Sequence, residues 1–291
     1  MDEAIAFLEK SSKLDSIMAD ESATVICTSY KAKILLYKNE ILSAHDILVS
    51  LLLRVQSKDL SNIAFVYFYD FALYYYFLDS DHTSYYHDAL KFYGFKGTAS
   101  IYIDDDGVEK AYITAVSCIM SPHITNVGAV IYNKIIATEL TKPKYFPIVD
   151  LLAALDGGNM EMFEAITPIL IKHDIFSSKM DILKEKIVLM NILNLSFTCI
   201  IQNIIMTFPM IACSANIPIE MVEHFLIRAF SLEIVKGSID QVNHTVNLTW
   251  VKPKFLAVEQ IALLQAKLKL WNERIDRFTY HMSDITQMLT P

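Results

Sequence analysis

The residues best suited to chemistry in this 291-residue chain are its eight histidines, its four cysteines and one acidic run. The histidines are scattered and form neither an HExxH nor an HxH motif. Cys27, Cys118, Cys199 and Cys213 are far apart and follow no CxxC or zinc spacing, so they read as reduced, buried thiols. Asp104-Asp105-Asp106-Gly107 has the composition of a calcium loop. An EF-hand register puts glycine at the sixth position and glutamate at the last, and this run meets neither condition. It reads as a solvated turn. There is no glycine-rich phosphate loop and no GxSxG elbow. The sequence therefore recommends no enzyme, no metal and no cofactor.

What remains is a chain made to pack. Hydrophobic residues make up 53%, with 16 Phe, 15 Tyr and only 7 Gly, a composition that suits helix after helix with few tight turns. The net charge of −8 opposes a protein built to neutralise phosphates. Sequons at Asn194, Asn243 and Asn247 carry little meaning beside the acidic start MDEAIAFLEK, which lacks a signal-peptide pattern; cytoplasm and nucleus are the expected locations. Ile187–Ile219 has no charged residue and is long enough to span a bilayer. It also holds Asn191, Asn194, Gln202, Asn203, Asn216 and two prolines, so a buried core segment is favoured over a membrane helix.

The periodicity predicts amphipathic helices in succession. Ile26, Tyr30, Ile34, Tyr37 and Ile41 mark one helical face. Further helices are predicted near 44–56, 60–78, 83–93, 108–120, 125–139, 145–155 and 159–173. Turn-like breaks separate them at Ser57-Lys58-Asp59, Asp79-Ser80-Asp81, Asp104–Gly107, Ser121-Pro122 and Asp156-Gly157-Gly158-Asn159. Such helices cannot bury a face singly and must stack, which predicts a helical-repeat, TPR-like solenoid with degenerate repeats. Ile63–Leu78 is apolar nearly all round and is expected between neighbours, with Tyr85-Tyr86 and Phe92-Tyr93 extending its aromatic spine.

Past Lys186 the pattern changes. Ile187–Phe197 is predicted as a helix, Ile204–Thr207 as a short strand and Phe208–Cys213 as a brief helix. Ile219–Phe230 is a further helix, started by Asn216 or Pro218. Ile234–Ile239 and Thr245–Val251 form a hairpin around the polar turn Asp240–His244. In the second strand Val246, Leu248 and Trp250 alternate with Thr245, Asn247 and Thr249, giving one buried face. Helices followed by a two-stranded wing are the order of a winged helix. A nucleic-acid role is opposed by charge: Pro218–Lys252 holds Arg228, Lys236 and Lys252 against Glu220, Glu223, Glu233 and Asp240. From about Ala257 a last helix carries Leu264, Leu268, Trp271, Ile275, Phe278, Met282, Ile285 and Leu289 in alternating steps of four and three. At 1.5 Å per residue it runs about 50 Å. A helix folded back on the repeats and one entering an intersubunit bundle both use such a seam; the length favours the bundle.

Three collinear stretches carry a resemblance. VKGSID with VNLTWVKP, the segment FYDFALYYYFLDSDHTSYYHDALKFYGF at Phe68–Phe95, and LDGGNMEMFEAI at Leu155–Ile166 are similar to PCI-domain subunits of the 26S proteasome lid. The resemblance implies a mostly α fold: a helical-repeat arm over 1–180, the winged helix of a PCI domain over 181–252, and a C-terminal helix over 253–291 for an intersubunit bundle. It implies a non-catalytic scaffold in lid assembly and ubiquitin-dependent degradation, hetero-oligomeric with PCI and MPN subunits, without nucleic acid or membrane. Contacts toward the lid's ubiquitin receptor are also implied, through an arm expected to be shortened, chiefly before Phe68. Two departures stand out: an apolar CIIQNIIM before the first strand, and Pro218 in place of a capping hydroxyl. PCI subunits of the signalosome or the translation initiation complex share the fold, but the SYYHDALKF stretch favours the lid. The candidate partner residues are Gly237 and Trp250 in the wing and Leu264, Leu268, Trp271, Ile275 and Phe278 in the last helix. For Trp250, partner contact and closure of the domain's own core both stay open.

Overall fold

Short polar side chains set several of the helix boundaries. The computed structural model describes residues 2–12, 14–57, 60–99, 107–171, 174–202, 204–255 and 258–289. Asp104–Asp106, Lys58-Asp59, Asn203 and Ala257 lie outside the described residues. The chain begins with α1 (Asp2–Ser11), α2 (Asp15–Met18), α3 (Glu21–Tyr37), α4 (Ile41–Ser57), α5 (Asn62–Asp79), α6 (His82–Ala99) and α7 (Gly107–Met120). Asp20 and Ser61 cap α3 and α5 through side-chain oxygens that accept from Ser22 N and Ala64 N. Asp81 Oδ1 accepts from Thr83 N at 3.0 Å and Ser84 N at 3.2 Å, which starts α6. Each of α3 to α7 packs mainly on helices close to it in sequence, the local stacking of a helical repeat.

Several expectations need correction. The helix containing Ile26, Tyr30, Ile34 and Tyr37 stops at Tyr37, where Asn39 turns left-handed (φ 63°), and Ile41 opens α4 instead. The face sunk deepest is Val25, Ser29, Ala32 and Leu36, because small residues let α3 approach α5. Tyr30 and Tyr37 pack sideways on Tyr67 and Tyr74, with ring centroids 5.1 and 5.0 Å apart. The single helix expected at 125–139 is two short ones, α8 (Gly128–Ile131) and α9 (Lys134–Glu139). Asn133 breaks them: its side chain accepts from Ile135 N and Ile136 N and starts a new helix. The thiols are not all buried either. Cys118 and Cys199 are buried, Cys27 is half-buried and Cys213 is exposed; all four are free.

After a 3-10 turn at Pro143–Tyr145 come α10 (Phe146–Gly157), α11 (Met160–Leu170), α12 (Asp174–Ser177) and α13 (Met180–Gln202). Then follow β1 (Met206–Thr207), α14 (Phe208–Ala215), α15 (Ile219–Ser231), β2 (Val235–Asp240), β3 (Thr245–Val251) and α16 (Val258–Leu289). The antiparallel sheet has the order β1-β3-β2. Asn216 ends α14 in a left-handed turn (φ 50°), and Pro218 precedes α15 with no side-chain cap, as the sequence implied. The first helix of the winged helix is much longer than Ile187–Phe197, and β1 is shorter than Ile204–Thr207. Ile200, Ile201, Ile204 and Ile205, the apolar approach to β1, are exposed.

The chain falls into two compact units, Met1–Pro253 and Lys254–Pro291. The first has two hydrophobic cores, and α13 serves both. Leu183, Ile187, Leu189, Met190 and Leu193 join the larger, which runs from Val25 to Val235. Val188, Ile192 and Cys199 join the smaller, with Met206, Ile211, Val222, Leu226 and Val246. Packing on two sides explains the charge-free sequence after Lys186. Among the described residues no single helix is long and apolar enough to cross a membrane; α14 and α15 together pass by length and composition but bend by 92°.

Candidate interaction surfaces

The wing is shaped by an irregularity. Lys236 pairs with Trp250 and Gly237 with Leu248, so Thr249 is an extra residue in β3. Thr249 Oγ1 donates to Lys236 O at 3.1 Å and occupies the gap. The slip ends the expected alternation: Val246 is buried, Leu248 is half-buried, and Val251 rather than Trp250 packs on the larger core. Trp250 is 41% exposed, with Lys236 Nζ 5.3 Å from its ring centroid. It does not close the domain's core. Gly237 has a structural duty at the same place: a Cβ there would lie 2.2 Å from Asn247 O. Gly237 lets the bulged strands meet, and Trp250 is turned outward beside it.

The acidic balance of α15 persists in three dimensions. Glu220 is exposed in its first turn, and its one arginine, Arg228, is spent on Glu185, with Nε 2.7 Å from the carboxylate. No cationic stripe lies along this helix.

In the second unit, α16 presents Leu264, Leu268, Trp271, Ile275 and Phe278 on one face. All five are exposed, from 46% at Leu264 to 67% at Phe278. The remaining seam positions, Met282, Ile285 and Leu289, have side chains outside the described residues.

Three polar joints escaped the sequence reading. Asp70, in the middle of α5, pairs with Lys33 of α3 at 2.7 Å and with Lys110 of α7. Burial alone pushes the Asp70 carboxyl up, but the two ammonium groups outweigh it and hold the carboxyl below its ordinary value. Lys186 of α13 is buried and donates to the carbonyls of Ser121 (2.7 Å), Ile119 (3.2 Å) and Cys118, closing the C-terminal end of α7 with positive charge. Burial pulls the Lys186 ammonium down to about 8. The third joint uses the asparagines of the charge-free stretch. Asn191 Nδ2 donates to Gly158 O (2.8 Å) and Ser214 O (3.1 Å), and Asn194 Nδ2 donates to Asp156 O (2.9 Å). Gly158 is left-handed (φ 62°), and a Cβ there would come within 2.7 Å of Asn191 Cα. Only glycine fits. Pairing of Asp70 could not be foreseen, since its partners lie 37 and 40 residues away. Among the described residues no group of three or more His, Cys, Asp or Glu could hold a metal ion.

Comparison with known proteins agrees with this architecture. The family model described as PSD13 N-terminal repeats matches residues 1–152, more than half of the chain. This chain belongs to the PSD13 family. Beyond the PSD13 repeats, the PCI domain matches residues 167–250, which takes in α13 to β3. Over 255 residues the chain is 28% identical to the 26S proteasome regulatory subunit RPN9 of Saccharomyces cerevisiae, covering 84% of this chain and 63% of that protein. Over 281 residues it is 25% identical to the 26S proteasome non-ATPase regulatory subunit 13 of Dictyostelium discoideum, covering 94% of this chain and 72% of the relative. The fold resemblance drawn from the three collinear stretches thus stands: a mostly helical PSD13-type chain with a PCI domain.

Proposed function

We propose that this protein is a non-catalytic structural subunit of a proteasome regulatory-particle lid, acting in lid assembly and hence in ubiquitin-dependent degradation. The observation that carries the reading is the exposed seam of α16, in a chain whose similar proteins are named as proteasome regulatory subunits. An apolar seam at a period of 3.5 is complete only when another helix covers it. In this reading residues 1–180 are a repeat arm, 181–252 the winged helix and 253–291 a helix for an intersubunit bundle. Leu264, Leu268, Trp271, Ile275 and Phe278 are the bundle contacts, and Trp250 beside Gly237 faces a neighbouring subunit. The partners are PCI and MPN subunits of the lid, with the ubiquitin receptor within reach of the arm, in cytoplasm and nucleus. The acidic α15 argues for protein rather than nucleic acid as the ligand of the winged helix.

The test is affinity purification of the tagged chain from its own cells, full length and cut after Lys254, with mass spectrometry of the co-purifying proteins. Recovery of lid and ATPase subunits by the full chain and their loss on truncation is the expected result. Recovery of another PCI complex, or of nucleic acid alone, refutes the lid assignment.

A further inference from the structure

Between α11, α13 and α15 the first unit carries a groove of about 600 Å³ that the lid reading does not use. Its apolar lining is Met160 from α11, Ile217 from the α14–α15 turn, and Met221 and Phe225 from α15, over a floor of buried Phe163 and Val188. On each helix the lining residues sit at three- or four-residue spacing, so the groove is walled by three helix sides and closed by the turn at Asn216-Ile217. The volume lies within the roughly 300–1,000 Å³ range of binding clefts. Two methionines in the lining give a surface that adapts to aliphatic side chains of varied shape.

The charged residues of the lining are asymmetric. Glu164, Asp181 and Glu185 stand against Lys184 alone. Arg228 offsets Glu185 in part, and Glu164 accepts from Asn216 Nδ2 at 3.1 Å, which leaves the acid uncompensated in charge. An occupant is therefore favoured if it brings apolar side chains flanked by cations. The walls also decide its backbone. Apart from Asn216 and Ile217 of the α14–α15 turn, they are helices whose own amides are paired along them, and no strand contributes to the lining. An extended peptide would find no ladder of bonds to join, whereas a helical one satisfies its own. We infer that this groove is a docking site for a short, basic amphipathic helix of another protein, with apolar residues on one face and Lys or Arg flanking it. The inference goes beyond the lid reading and holds for the isolated full chain.

A fluorescein-labelled leucine/lysine helical peptide, with its leucines on one face, is the probe. Fluorescence anisotropy against the full chain is expected to give binding on the order of ten micromolar, and a leucine/glutamate peptide of the same pattern at least about tenfold weaker. The pair Glu164→Lys with Asp181→Lys, exposed at both positions, should reverse that preference. Met221→Asp should weaken the lysine peptide about tenfold. Because the chain is acidic overall, Glu40→Lys with Asp46→Lys makes the same charge change elsewhere and should leave binding unchanged. Equal loss in that control refutes the inference. So does cross-linking of a benzophenone-bearing probe to α16 rather than to α11, α13 or α15. If Met221→Asp proves unfolded by circular dichroism, the charge-reversed pair and the cross-link decide.

Discussion

Helices α5 and α16 are both rich in large apolar residues, yet they dispose of them in opposite ways. In α5 the run from Val66 to Leu73 is almost wholly buried, Phe71 at 1% exposure. Over that run its apolar residues point all round because α3, α4 and α6 take up its sides, whereas Ile63, Phe77 and Leu78 at the helix ends, expected to be buried, are exposed. In α16 the exposed large apolar residues, Leu270 apart, form one seam, and charged residues such as Lys267, Glu273, Arg274 and Arg277 stand on the rest of the surface. Every described seam position there is exposed. A helix that is apolar on all sides is claimed by its own chain. A helix with a single seam and a charged remainder can stay in water and wait for a partner.

The sharpest way to break this comparison is to put the same charge into both helices. Phe71→Asp should cost more than about 4 kcal/mol and unfold the first unit, read by urea or thermal denaturation. Ile275→Asp should change stability by no more than about 0.5 kcal/mol while abolishing co-purification of lid subunits. Equal stability losses would end the distinction. The next largest effect tests what α5 needs for its burial. Asp70→Asn leaves two half-buried lysines without their carboxylate and should cost about 3–5 kcal/mol. Because the folded carboxyl sits below its ordinary value, wild-type stability from this group is present above the unfolded value and lost as pH falls through the folded one. The variant should show a flatter acid limb, measured by melting temperature against pH.

Gly158→Ala is smaller: strain at a positive φ and a clash with the α13 backbone should cost about 2–3 kcal/mol in chemical denaturation. Lys186→Met should have the least effect, about 1–2 kcal/mol near neutral pH, since three carbonyls lose a donor while a buried charge disappears. Its signature is in pH dependence. The folded ammonium releases its proton near 8, whereas the unfolded one holds it to the ordinary value of 10.5. Between those values the unfolded chain binds more protons, so the stability contributed by Lys186 rises with pH. The gap between wild type and variant should widen from about pH 7.5 to about pH 9.5; a constant gap would mean the ammonium is not desolvated.

The helices and the wing were legible because their patterns are local. The seam of α16 was the clearest of them, a period maintained over many residues. What the sequence hid depends on distance or on a second neighbour. Asp70 reads as an intruder in FYDFALYYYF until Lys33 and Lys110 are brought to it by packing. Trp250 follows the alternation of β3 perfectly in sequence and is carried outward by one extra residue opposite Gly237. Helix α13 gave no amphipathic signal because it packs on two sides, which made a core helix resemble a membrane segment. Two of the asparagines that argued against the membrane, Asn191 and Asn194, are joints to α14 and α10. The three stretches behind the family resemblance share this character. They hold Asp70, the buried Tyr85, Tyr86 and Phe92, Gly158 and Gly237, residues of internal fit, although Trp250 in the wing stretch is exposed.

The double duty of α13 also has a consequence in time. A chain made from its N-terminus completes α3 to α10 well before Met180–Gln202 has been synthesised. During that interval the carbonyls at the end of α7 and the turn at Gly158 lack Lys186 and Asn191. The flank destined for Leu183, Ile187 and Met190 is bare. The closing strands are later still, since Ile234 and Val235 belong to the same core. The repeats should therefore stay protease-sensitive on ribosomes stalled with α13 unmade and become resistant once β3 has emerged. Such a nascent chain keeps an apolar surface uncovered for the whole of its synthesis up to the wing.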